Sequence, residues 1–175
     1  MGRVVEMKAM VRTAAIATAL AMALAGCGDG APGATAEKDE APPANLTPGQ
    51  YEVTSEIVTL ASTDKTTPAT KLKQGDTAVV KACVAKDGTP DPALFAEAGD
   101  TCEATSSYIS NGRMSIQLKC QRPGKSGQVM PTFDGKYTLD GFSGDAQGLT
   151  YFVADGDYRY TAEVTARRIG DCPAR

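Results

Sequence analysis

Five cysteines and no histidine set the limits on what this chain can do chemically. Cys27 closes the run Leu24-Ala25-Gly26-Cys27, directly after an apolar stretch and before a segment rich in Pro, Ala and Gly. A cysteine in that setting is the acceptor of a bacterial lipobox. Its thiol takes a diacylglyceryl group, and the amine released by cleavage before Cys27 takes a further acyl chain. The other four, Cys83, Cys102, Cys120 and Cys172, form an even set that reads as two disulfides in an oxidising compartment. Metal ligation is the competing chemistry. No pair is spaced CxxC and no histidine is present, whereas structural zinc sites favour closely paired ligands, so no metal is expected.

The lack of histidine also removes every imidazole-dependent mechanism, the Ser-His-Asp triad included. Gly141-Phe142-Ser143-Gly144 misses the spacing of a nucleophile elbow. Gly124-Lys125-Ser126 resembles the end of a phosphate loop, but Lys119 stands where the first glycine is required, and the stretch reads as a basic surface loop. Of the carboxylates, Asp155 and Asp157 flank Gly156 in a turn signature that Asp and Gly favour for backbone reasons. They are the candidates for a weak calcium site or a carboxylate hydrolase. No cofactor is expected.

The elements that must carry these residues fall into three parts. Residues 1–26 read as a lipoprotein signal peptide: Arg3, Lys8 and Arg12 give the positive end, and Thr13 to Leu24 the apolar core, too short to span a bilayer. Met7-Lys8 offers a cleaner start than Met1, leaving Glu6 outside. Residues 27–46 read as the lipidated cysteine and a disordered tether with a reach of roughly 25 Å. Residues 47–175 read as one β-rich domain. Two or more acyl chains anchor firmly. Gly28 after the cysteine, in place of the Asp that retains lipoproteins in the inner membrane, favours the periplasmic face of the outer membrane, with Asp29 one position later. Removing residues 1–26 takes the net charge from −3 to −5, and no basic run remains, so no nucleic-acid partner is expected. The Arg167-Arg168 pair reads as part of the last strand, with at least one guanidinium solvated.

Within the domain, period-two alternation dominates. A strand opens at Pro48-Gly49, with Tyr51, Val53, Ser55 and Ile57 on one face. Further strands are predicted at Thr77–Val84, Lys136–Phe142, Leu149–Val153 and Asp157–Ile169. One short helix is predicted over Pro92–Ala98, capped by Asp91 and closed by Gly99. A hairpin between Cys102 and Cys120 turns at Ser110-Asn111-Gly112. A two-residue turn pairs Met114 with Ile109 and Cys120 with Glu103. A three-residue loop pairs Tyr108 with Met114, Ser106 with Ile116, Ala104 with Leu118 and Cys102 with Cys120. The second register segregates polar and apolar faces better and brings the two cysteines opposite, within disulfide range. It favours Cys102–Cys120 and, with it, Cys83–Cys172. The fold class is therefore mainly β: an antiparallel meander forming a curved sheet or partly closed barrel, with one short helix, braced by disulfides.

Several stretches, in this order, resemble a proteobacterial family of periplasmic proteins and lipoproteins called domain of unknown function 3617. They are Pro48-Gly49-Gln50-Tyr51-Glu52-Val53, Cys83, Asp100-Thr101-Cys102, the strand ending in Cys120, the Tyr137/Gly141 strand, and Arg167-Arg168-Ile169-Gly170-Asp171-Cys172-Pro173. The resemblance spans about Leu46 to Pro173. Tyr51 and Ile169 stand where a Trp is common in that family. It implies a β-rich periplasmic domain with paired cysteines, and no activity, substrate or catalytic residue.

The residues thus point to a lipid-anchored envelope protein that binds or braces without catalysis, with an unknown protein or small-molecule partner. The alternatives are an envelope hydrolase at Asp155 and Asp157, and a carrier of a small apolar ligand in the sheet's concave face. An apolar cavity under the Tyr-rich face distinguishes a carrier from a scaffold with a filled core.

Overall fold

The computed structural model describes residues 43–174; Cys27 and the stretches read as signal peptide and tether, up to residue 42, lie outside them. Seven antiparallel strands form one curled half-barrel sheet: β1 (Gly49–Ser62), β2 (Thr77–Val84), β3 (Thr101–Ser110), β4 (Arg113–Gln121), β5 (Gly127–Tyr137), β6 (Gly141–Phe152) and β7 (Tyr158–Gly170). Their order is β2-β1-β7-β6-β5-β4-β3. β3 to β7 form a meander, and β7 returns to pair with β1 along its length.

Alternation puts one residue in two on the concave face. Tyr51, Val53 and Ile57 of β1 meet Phe142 and Ala146 of β6 there, with Phe133 and Tyr137 of β5 and Ile116 and Leu118 of β4. The segment from Pro92 to Phe95 lies over this face. Leu94 and Phe95 are buried, and the Phe95 ring sits 5.1 Å from Phe133 and 5.6 Å from Phe142. The predicted helix is only this one 3₁₀ turn. Asp91 caps it, accepting from the Ala93 N–H at 2.9 Å, but Ala96 is already extended and Glu97 is drawn away to a long-range ion pair.

Three further expectations are corrected. The strand expected at Lys136–Phe142 is split: Thr138, Leu139 and Asp140 are the β5–β6 turn, and β5 runs upstream to Gly127. Pro131 has no N–H, and the β4–β5 ladder is interrupted between Gln117↔Thr132 and Cys120↔Val129. The β3–β4 hairpin combines both registers considered. Asn111 (φ 51°) and Gly112 (φ 73°) form a two-residue turn that sets Ile109 opposite Met114 and Tyr108 opposite Ser115. A bulge between Ala104 and Ser106 then shifts the pairing, and Cys102 faces Cys120. Tyr108 is consequently exposed rather than on the apolar face. Finally, the packed unit takes in the end of the stretch read as tether: Leu46 is buried, and the Tyr137 hydroxyl lies 2.9 Å from the Pro43 carbonyl and 3.0 Å from that of Ala44.

The convex face is polar. Glu52 sits between Lys81 and Arg167 on neighbouring strands and pairs with both, which holds its carboxyl below the usual range; Arg167 is mostly exposed. One turn of pairing away, Glu56, Glu163, Asp145 and Asp134 stand side by side across β1, β7, β6 and β5, all exposed. Like charges directly opposite destabilise a sheet. Glu163→Lys is expected to raise the thermal midpoint by placing a cation between Glu56 and Asp145. The gain should shrink at about 1 M salt, where the screening length falls to roughly 3 Å. Scanning calorimetry at both salt levels checks it, and a lowered midpoint at low salt is the contrary result.

Candidate functional site

The concave face is not uniformly filled. Between the β2-β1-β7 half of the sheet and the 92–97 segment lies an apolar cleft of about 350 Å³. It exists because the side chains pointing into it from the sheet are small: Ser55, Ala78, Ala146 and Ala162. Ile57, Val80, Val164, Leu94 and Phe95 give it apolar walls. Its volume is at the lower end of the roughly 300–1,000 Å³ range of small-molecule pockets. A second depression of about 630 Å³ lies beside the Cys83–Cys172 bridge, walled by Pro48, Pro90, Pro92 and Pro173. It gathers no comparable set of sheet side chains.

The polar groups on the cleft are few. Tyr160 of β7 lies across its partner strand, its ring covering Gly148, where a Cβ would fall 2.0 Å from the ring. Any larger residue there would push Tyr160 aside. The cleft's neutral polar side chains are those of Tyr160 and Ser55. Burial, with the neighbouring Tyr158 and Glu97 adding to it, pushes the Tyr160 hydroxyl pKa well above the ordinary tyrosine value, so it stays protonated at neutral pH.

Glu97 on the cleft belongs to a polar node around Arg122, which follows β4. The side chain spends all its donors inside the protein. Nε and one terminal nitrogen reach Asp100 at 2.9 and 2.8 Å, and that nitrogen also reaches Glu97 at 2.7 Å. The other nitrogen donates to the Ala69 carbonyl at 2.7 Å and the Tyr158 hydroxyl at 2.8 Å. Tyr158 in turn donates to Glu97 at 3.0 Å, and Thr70 donates to the other Glu97 oxygen at 2.8 Å. Burial pushes Tyr158 up to about 12, the Glu97 charge adds to this, and the Arg122 hydrogen bond only partly offsets them. Burial alone would lower the Arg122 pKa, but the bonds to Asp100 and Tyr158 win, and it stays above its ordinary value. The node fastens four segments of the chain at one point: 69–70, 97–100, Arg122 and β7.

A model described as a protein of unknown function, DUF3617, matches residues 46–172. The chain belongs to this family. The DUF3617 match begins at buried Leu46 and ends at Cys172, so it coincides with the packed unit. No curated protein and no solved structure matches the chain.

The residues singled out in the DUF3617 domain are dispersed. Cys102–Cys120 joins β3 to β4 with α-carbons 4.0 Å apart, and Cys83–Cys172 joins β2 to the segment after β7 at 5.9 Å. Neither bridge lines the apolar cleft. Asp155 is exposed at the β6–β7 turn, and Asp157 accepts from the Thr150 hydroxyl and the Phe152 N–H, both at 2.8 Å, bracing that turn. Asp64 reaches in from the β1–β2 loop and accepts from the Gly156 and Asp157 N–H groups, and Thr66 donates to it twice. Those bonds hold its carboxyl far below the usual range. Among the described residues no three His, Cys, Asp or Glu side chains gather as a metal site. Lys125 stacks on Phe152 and donates to the Asp155 carbonyl. Sequence reasoning missed Arg122, Glu97, Asp100 and Tyr158 as a group; beside them, Gly124-Lys125-Ser126 reads only as a basic surface loop.

Proposed function

We propose that this protein is a lipid-anchored, non-catalytic binding module of the cell envelope, which holds a small apolar molecule in the concave cleft of its DUF3617 domain. The observation that carries the reading is the cleft itself: small side chains on β1, β2, β6 and β7 face one another under Tyr160, leaving about 350 Å³ bounded by apolar walls. A sheet built only to brace would fill these positions, because an empty apolar space costs stability. The run Leu24-Ala25-Gly26-Cys27 supports the anchor, and two disulfides support an oxidising compartment, with the outer membrane favoured by Gly28.

The test is native mass spectrometry of the full chain expressed in a Gram-negative host and purified in lipid nanodiscs. The expected result is acyl mass on Cys27 and a co-purified small molecule released by denaturation. Ala162→Leu, which fills the cleft from β7, and Ala78→Leu, which fills it from edge strand β2, should each abolish the co-purified mass while keeping the far-ultraviolet circular dichroism of the parent. An unmodified Cys27 would sink the anchor. Equal small-molecule mass in the parent and both filled variants would sink the cleft.

A further inference from the structure

We infer that the cleft selects a neutral amphiphile with a hydrogen-bond acceptor at its head, such as an ester or ketone on an aliphatic chain, over the matching carboxylate or amine. The inference rests on the cleft being a ligand site, and its grounds are the charges and donors that line it.

The apolar walls provide for the body of the molecule; the polar groups decide the head. An anionic head needs a free cation or several free donors in a buried site. The cation bonded to the cleft's Glu97, Arg122, has every donor engaged by Ala69, Glu97, Asp100 and Tyr158. That node holds two carboxylates against one guanidinium, so its residual charge is negative and repels an incoming carboxylate. Lys71 stands at the mouth, exposed, where a pairing would be solvated and weak. A cationic head fares no better. Glu97 is the carboxylate on the cleft, and both its oxygens are taken, one by Thr70 and one by Arg122 and Tyr158. An ammonium would therefore lose its hydration for a carboxylate already paired with Arg122 and for the Tyr160 and Ser55 hydroxyl oxygens, which do not offset burying the charge. The groups left over are the hydroxyls of Tyr160 and Ser55, which are neutral. A protonated tyrosine hydroxyl donates one hydrogen bond. A carbonyl oxygen is the head that accepts it without bringing charge.

The experiment uses the full chain in lipid nanodiscs, with the Ala162→Leu protein in matched nanodiscs as the blank for partitioning into lipid. A fluorescent naphthylamine probe is displaced in turn by methyl decanoate, decanoate and decylamine. The expected order is methyl decanoate well ahead of both charged compounds. Tyr160→Phe keeps the ring over Gly148 and removes only the hydroxyl. It should weaken methyl decanoate relative to the probe by about two- to tenfold, the range of one neutral hydrogen bond. Decanoate or decylamine displacing the probe as well as the ester does, or Tyr160→Phe leaving the ester unaffected, overturns the head selectivity while the cleft reading stands. Probe binding no greater in the parent than in the Ala162→Leu blank overturns the cleft reading itself.

Discussion

Replacing Arg122 by methionine is expected to lower the unfolding free energy by about 3–5 kcal/mol, the cost of breaking a buried ion pair by removing one partner. The packing loss is modest, because a methionine stem occupies much of the same path beside Phe152 and Tyr158, over which the guanidinium now lies at 5.8 and 5.7 Å. The large effect is electrostatic. Glu97 and Asp100 would face each other without a counter-charge, Asp100 with its side chain only 3% exposed. The Ala69 carbonyl and Tyr158 hydroxyl would lose their donor as well. Arg122→Lys should recover little, since an ammonium has three donors and no planar fork to meet two carboxylates, a carbonyl and a hydroxyl together. Arg122→Met combined with Asp100→Asn should be more stable than Arg122→Met alone, because it removes the buried charge that was left behind. Urea unfolding of the three variants measures this. A loss under about 1 kcal/mol for Arg122→Met would mean the node is solvated and behaves as a surface pair.

That node was illegible in the sequence for a physical reason. Arg122 lies 53 residues from Ala69, 25 from Glu97, 22 from Asp100 and 36 from Tyr158. No local pattern signals a polar contact closed only by the fold. Elements whose faces differ in polarity were readable. In β1, Tyr51, Val53 and Ile57 are buried, and in β7 Tyr158, Ala162 and Val164 are. The family itself was also legible, from Pro48-Gly49-Gln50-Tyr51 and Gly170-Asp171-Cys172-Pro173. Where the faces are alike, the reading failed. Thr105, Ser106 and Ser107 give no contrast between inside and outside, so the bulge that reconciles the Asn111-Gly112 turn with the Cys102–Cys120 pairing could not be placed. Pro131 hid β5 because propensity marks proline as a strand breaker, whereas here the adjacent ladder yields around it. The cleft was invisible for a related reason. Ala78, Ala146, Ala162 and Ser55 come from four strands, and small residues signal space only once the fold shows they face one another.

Removal of the Cys83–Cys172 bridge is the change expected to weaken the domain as much as loss of Arg122. The bond closes a span of 89 residues that contains every strand from β3 to β7, and in the chain-entropy model it stabilises by about 4–5 kcal/mol. Cys102–Cys120 closes only 18 residues and is worth about 3 kcal/mol on the same model. The positions sharpen the contrast. Cys102–Cys120 bridges two strands that already pair opposite one another. Cys83–Cys172 reaches from edge strand β2 across β1 to the end of β7, because Gln50 of β1 pairs with Cys83 on one side and Gly170 on the other. β2 has no strand beyond it, and its Ala78 and Val80 form one wall of the cleft. Cys83→Ser with Cys172→Ser should therefore lower the urea midpoint more than Cys102→Ala with Cys120→Ala, and should also weaken probe binding in the cleft. The hairpin variant should leave probe binding close to the parent at temperatures where it is folded. If the hairpin bridge proves the more stabilising, edge strand β2 is held by its ladder to β1 and its side chains alone. The long bridge would then be a passive crosslink.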